Sequence, residues 1–308
     1  MIEVWRGSIN TWECDEMGHL NVRHYVGKAW EGLAGLAPEI GLPNAFRDHQ
    51  AGTVRPVLQH IRFLREIRPG EPIFMRAGVL ASDETGADIY QEIVHEGSGA
   101  LAASLRTRLA HVERYTGKPF TWSPSTRAAL QACAAEPDPT GVPRTLGFPG
   151  ARLADGEISL ERLGELGARC IGRGVFETEE CAQHGVVRPQ AFFGRISESV
   201  PNLMANWRAE TAREAGISNQ GAAVLEARLA YRGWPGPGER WQLYTGFGGA
   251  NGKTHRLVHW MINPDTGKPW MSAEAIAVTF DLDTRKAIAP SEKALKILET
   301  LAPKGMQP

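Results

Sequence analysis

Residues 12–26, WECDEMGHLNVRHYV, gather acids, two histidines and a glycine immediately before a helix-like run. Asp15 is the residue there best suited to chemistry. A free aspartate has a pKa of about 3.9, so at neutral pH it is ionised without help. It can then take a proton from water or attack an electrophilic carbon itself. The same residue type also forms turns and caps helices, and His19 and Asn21 are types that brace loops by hydrogen bonding. Gly18 would let the loop turn and a ligand come close, while His24 reads as a helix-start residue.

The elements that must hold this stretch follow from periodicity. A strand is expected near residues 2–10, then the loop, then a helix near 24–37 with Tyr25, Trp30, Leu33 and Leu36 roughly along one stripe. Four strands follow, at 57–67, 72–82, 87–96 and 100–114, separated by the turn sequences RPGE, DETG and GSG. After a Pro, Gly and Ala-rich middle segment the order recurs. A strand is expected near 171–179, a long helix near 189–213, and strands near 223–233, 239–248, 254–262 and 270–282.

The two halves align residue by residue. Arg6, Gly7, Cys14, Gly18, Glu31 and Leu58 match Arg173, Gly174, Cys181, Gly185, Glu198 and Leu225 at a separation of 167. Beyond one insertion, Pro69, Gly70, Glu71, Gly99, Thr116 and Lys118 match Pro237, Gly238, Glu239, Gly267, Thr284 and Lys286 at 168. The similar TGKPF (116–120) and TGKPW (266–270) are out of this register and read as two turns using the same residues. The organisation expected is a first unit over 1–134, a linker over 135–170 and a second unit over 171–308 ending in a C-terminal helix. The linker is expected to be exposed, mobile or irregular near 135–157, where Pro and Gly interrupt both periodicities.

Composition narrows the function classes. The 308 residues carry 34 Lys+Arg against 35 Asp+Glu, a net charge of -1, without a block of like charge to grip nucleic acid or an anionic membrane. Cys14, Cys133, Cys170 and Cys181 show no metal-knuckle or disulfide-framework spacing, as in a reducing compartment. No segment reads as a signal peptide or approaches the ~20 apolar residues of a membrane span, so a cytoplasmic location is expected. P-loop, dinucleotide-glycine, zinc and G-x-S-x-G patterns are absent, and no cofactor is implied.

The order strand, acid-bearing loop, helix, four strands resembles the hotdog fold, and CDEMGHLNVRHYV resembles the loop of the 4-hydroxybenzoyl-CoA thioesterase-like superfamily. There an Asp three residues before a Gly, often in a D-x-x-G-H-x-N setting, precedes the central helix; Asp15, Gly18, His19 and Asn21 fit it. The tandem arrangement resembles double-hotdog acyl-CoA or acyl-carrier thioesterases. The resemblance implies an α+β chain of two tandem hotdog units, each an antiparallel sheet wrapped on a central helix, forming a pseudo-dimer. It implies a thioester hydrolase in which Asp15 is general base or nucleophile. The backbone N–H at Val22, seven residues after the acid, would polarise the carbonyl, with His19 and Asn21 beside it. A hotdog hydratase or a non-catalytic acyl-binding protein are the competing classes.

The second copy departs from the pattern, because Ala182 matches Asp15 and Val186 matches His19. One productive site per chain is therefore expected. His184 beside Gly185 is weakly similar to a hydratase element. Substrate contacts are assigned to Gly18, to Arg62 and Arg65 as cations for CoA phosphates, with Arg68, Arg106 and Arg108 as further candidates, and to Glu198 on the second helix. The expected partner is an acyl-CoA thioester, with neither nucleic acid nor membrane, and a homo-oligomer of such chains is compatible with the sequence.

Overall fold

The computed structural model describes all residues except 48–50, 183–184, 216–219, 285, 290, 293–301 and 303–304, and the side chains of 204–215 are also outside the description. The expected C-terminal helix and His184 lie outside the described residues. The chain divides into two compact units, Met1–Arg144 with Glu179–Ala191, and Thr145–Thr178 with Phe192–Pro308.

In the first unit, strands β1 (Ile2–Ser8), β2 (Gly52–Phe63), β3 (Pro72–Ser82), β4 (Gly86–His95) and β5 (Leu101–Glu113) form an antiparallel sheet in the order β1-β3-β4-β5-β2. Helix α1 (Val22–Leu36) lies on it. Tyr25, Val26, Ala29, Leu33 and Leu36 recur at the three- and four-residue spacing of one helix face and are buried. The approach is close: a Cβ on Gly35 would overlap the Val4 carbonyl oxygen, and one on Gly32 the Met75 sulfur. The central strand β4 is buried along nearly its whole length, and Gln91 Nε2 donates to the Ala29 carbonyl of α1 at 2.8 Å.

Strand β2 starts five residues earlier than the periodicity indicates, before Pro56. Its register shifts between Pro56 and Leu58, a bulge, which is where a strand tolerates a missing N–H. A helix α2 (Pro124–Ala132) was not foreseen. It is capped by Ser123, whose side chain accepts from the Thr126 N–H, with Pro124 in the first turn.

The second unit repeats the plan. Strands β6 (Arg169–Val175), β7 (Gln220–Tyr231), β8 (Arg240–Asn251), β9 (Thr254–Ile262) and β10 (Pro269–Asp281) form the antiparallel order β6-β8-β9-β10-β7, the same as in the first unit. The second long helix, α4 (Pro189–Ala215), follows the short α3 (Leu160–Glu165) and contributes buried Phe192, Phe193 and Ile196.

The middle segment is irregular and mostly exposed over 135–157, but it is pinned at several points. Leu146 and Leu153 are buried, and Leu163 and Leu166 of the α3 region pack with Val258, Trp260 and Ile262. Glu226, on β7 and buried, accepts the N–H groups of Thr145 (2.8 Å) and Leu146 (3.2 Å). Arg228 Nη1 donates to the carbonyls of Gly147 (3.1 Å) and Pro149 (2.6 Å). Buried charges require partners, and this backbone supplies them, which is why Pro and Gly there do not produce a loose connection.

Candidate active site

The loop ahead of α1 is built on backbone hydrogen bonds. The Asp15 N–H donates to the His19 carbonyl (2.8 Å), Gly18 to Asp15 (3.0 Å) and Asn21 to Glu13 (2.9 Å), while Cys14 and Leu20 form a bridge. Gly18 adopts φ +75°, a left-handed conformation that a side chain would strain.

The Asp15 carboxylate, half-buried, has two faces. Oδ1 accepts from the backbone of Met17 (2.9 Å) and His19 (3.2 Å), an Asx turn. Among the described residues nothing donates to Oδ2. Asp15 therefore forms the turn and still presents an acceptor oxygen.

Asn21 caps α1, its Oδ1 accepting from Arg23 N–H at 2.9 Å, and Val22 is the first helical residue. The Val22 N–H has no protein acceptor among the described residues, as expected of a first-turn donor. His19 is buried, with Nε2 3.1 Å from Glu66 Oε2, so it braces the loop against the chain after β2. Behind the loop, Glu13 Oε1 accepts from the buried Lys28 Nζ at 2.7 Å, and that ammonium sits 4.6 Å from the centre of the Trp5 ring. Burial alone would raise the Glu13 carboxyl, but hydrogen bonds from Lys28 and Asn10 and the Lys28 charge outweigh it and hold it below the usual range. Burial lowers His24, against the pull of Glu13, whose Oε1 lies 3.9 Å from its Nδ1.

The other predicted contacts are dispersed. Arg62 donates to the Val142 carbonyl at 3.0 Å, whereas Arg65 is exposed and its guanidinium has no partner among the described residues. Arg106 binds Asp88 at 2.6 Å, and Arg108 pairs with Asp83 and Asp88; these two arginines are committed across the sheet rather than to a ligand. Glu198 is exposed and pairs with Arg195 at 2.8 Å, one helical turn away.

The loop of the second half reproduces this frame bond for bond. Ala182 N–H donates to Val186 (2.8 Å), Gly185 to Ala182 (2.9 Å) and Arg188 to Glu180 (2.8 Å), Cys181 bridges Val187, and Gly185 has φ +69°. Each bond is its counterpart displaced by 167 residues. The chemistry differs: Ala182 replaces the acid, and Pro189, the first residue of α4, replaces Val22 and has no N–H. The match of Pro189 to Val22 was open to the same residue-by-residue alignment and was missed there.

A five-stranded antiparallel sheet closed over one long helix, with an acid-bearing loop at the helix start, defines the hotdog class. Residues 9–130 match the family model of the Thioesterase-like superfamily. Over 142 residues, 45% of the chain and 89% of the relative, it is 28% identical to a betainyl-CoA thioesterase of Pseudomonas aeruginosa. An acyl-ACP thioesterase of Bacteroides thetaiotaomicron superposes with a TM-score of 0.63 and 12% identity over 88% of this chain and 96% of that one. The 12:0-ACP thioesterase of Umbellularia californica does so with 0.66 and 12% over 89% and 93%. At such identities these likenesses establish the shared fold. Among the described residues, no helix is long and apolar enough to cross a membrane, and no group of acids, histidines and cysteines is placed to hold a metal.

Proposed function

We propose that the chain is a tandem double-hotdog thioester hydrolase acting on an acyl-CoA, with one working site, in the loop of the first half. Asp15 Oδ2 acts on the thioester, as general base toward water or as nucleophile, and the Val22 N–H receives the oxyanion that forms on the carbonyl. With Asp15 as base, collapse of that intermediate expels the thiolate, which takes the proton held on Asp15 and leaves as the free thiol. His19 and Asn21 hold the loop and the helix start, Gly18 gives room for the ligand, and exposed Arg65, without a protein partner among the described residues, is the cation to meet a CoA phosphate. Arg62 would contribute only by exchanging its carbonyl partner, and Glu198 lies on a solvated helix face.

One observation carries the reading. Two loops share one backbone hydrogen-bond frame, yet the unoccupied carboxylate oxygen and the unoccupied N–H exist together in the first and are both removed in the second. A frame needed only for folding would not require those two groups to be kept or lost as a pair. The name of the Pseudomonas relative favours a CoA thioester over a carrier-protein thioester. The deciding experiment is release of free thiol from acetyl-, hexanoyl-, benzoyl- and betainyl-CoA by the purified chain. Turnover of at least one supports the proposal; absence of thiol from all four at high enzyme concentration overturns it.

A further inference from the structure

The same displacement between copies marks a group beyond Asp15 and Val22. Tyr25 lies one turn along α1 from Val22, on the same helix face, and its side chain is buried against Phe63, ring edge to face, at 5.0 Å. The counterparts in the second half are Phe192 and Tyr231, which pack edge to face at 5.6 Å. The aromatic pair is kept, but the hydroxyl has moved to the other partner. Around it, the His19–Glu66 pair is replaced by Val186 and Trp234, the latter 5.9 Å from Phe192 in ring centres. His19, Glu66 and the Tyr25 hydroxyl are thus all replaced where the acid is lost, while the aromatic packing is preserved.

Among the described residues the Tyr25 hydroxyl has no hydrogen-bond partner, although the side chain is 4% exposed. Burial first, then the charges of Asp15 and Glu66, push the phenol up from its ordinary value. It stays neutral at working pH and feels Asp15 without being bonded to it.

Resting on the function proposed above, we propose that Tyr25 is the water-orienting residue of the Asp15 site. The attacking water donates one hydrogen to Asp15 Oδ2 and the other to the Tyr25 oxygen, leaving a lone pair for the thioester carbon. As the C–O bond forms, the first proton passes to Asp15. As the C–S bond breaks, that proton goes to the departing thiolate, giving the acid and the free thiol. Tyr25 exchanges no proton. This assigns Asp15 the role of base.

The test uses the purified full chain and whichever of the four acyl-CoA probes the wild type hydrolyses fastest. Tyr25→Phe should lower kcat roughly tenfold or more, the scale of a lost directing hydrogen bond, with KM and the melting temperature little changed. Tyr231→Phe, which removes the buried hydroxyl of the second copy, should leave kcat within about twofold. Tyr25→Phe combined with Phe63→Tyr rebuilds the second copy's pair and keeps one hydroxyl, yet should stay slow. A Tyr25→Phe enzyme within about twofold of wild type in kcat, a loss confined to KM, or recovery in the double variant would overturn the assignment. A wild type inactive on all four probes would instead overturn the thioesterase reading, and that is seen before any variant is made.

Discussion

Val22→Pro separates the oxyanion-donor role proposed for Val22 from its place in the fold. Proline removes the N–H and fixes φ near −65°, and the first helical position is where it is best tolerated. It requires an extended residue before it, and Asn21 already has φ −65° and ψ 142°. The cap survives, because Asn21 Oδ1 binds the N–H of Arg23 rather than that of Val22. Pro189 occupies the matching position at the start of α4, so the geometry is one this chain already uses. Stability should therefore change by no more than about 1 kcal/mol. Turnover should fall by roughly a hundred- to a thousandfold, about 3–4 kcal/mol of transition-state stabilisation, the usual loss for one oxyanion donor. The assay is thiol release for kcat beside a urea denaturation curve for stability, with Val22→Ala as the control that keeps the N–H and should keep most of the activity. A folded Val22→Pro enzyme within about threefold of wild type would refute the assignment.

Other consequences can be checked in the same assays. Asp15→Asn retains an acceptor for the Met17 and His19 N–H groups, so it should stay folded and lose roughly a hundredfold or more in turnover. Asp15→Ala should in addition lose about 1–3 kcal/mol of stability, because the turn loses its acceptor; an active Asp15→Asn enzyme would leave Asp15 a turn former only. Lys28→Met strands the Glu13 carboxylate behind the loop and should destabilise by about 3 kcal/mol at neutral pH in denaturant melts. Since the folded Glu13 pKa is lowered, the pair's contribution is present above the ordinary Glu range and lost as pH falls through the folded value, so the wild-type advantage should shrink in acid. Glu198→Gln, which among the described residues breaks an exposed pair with Arg195, should leave kcat and KM within about twofold; a large drop in either would place that helix face in the site.

Much of the frame was legible because it is periodic. Strand β3 falls at 72–82 as its alternation indicates, and the two helices that lie on the sheets begin within two residues of expectation. Misreadings arose where tertiary partners decide the outcome. Pro56 hides the start of β2 because alternation gives no sign of a bulge. The anchoring of the middle segment is hidden in the sequence because its partners, Glu226 and Arg228, are about 80 residues away. The arginines of β5 read as ligands for phosphate because cross-strand acids cannot be paired before the register is known. Helix α2 was within reach: Ser123-Pro124 is a helix-start signature, although the nine-residue helix it opens buries only Thr126 and Leu130.

The site itself was only half legible in one loop. Asp15 in isolation does what most loop aspartates do, since its Oδ1 closes an Asx turn. The second loop supplies the missing control, because Ala182 shows that the turn closes without any carboxylate: the Ala182–Val186 and Gly185–Ala182 backbone bonds form at the same lengths, within about 0.1 Å, as those around Asp15. The acid is therefore not needed for the loop's shape. Pro189 makes the parallel point for Val22, since a helix can begin there without an N–H. Tyr25 makes it for a hydroxyl at this helix position, because Phe192 packs on Tyr231 as Tyr25 packs on Phe63, with the hydroxyl on the other ring. Three groups that the fold can do without, a carboxylate oxygen, an amide hydrogen and a phenol oxygen, occur together in one copy. Under the proposed function each would supply what hydrolysis of a thioester asks for: a place for a proton, a place for negative charge, and a hold on water.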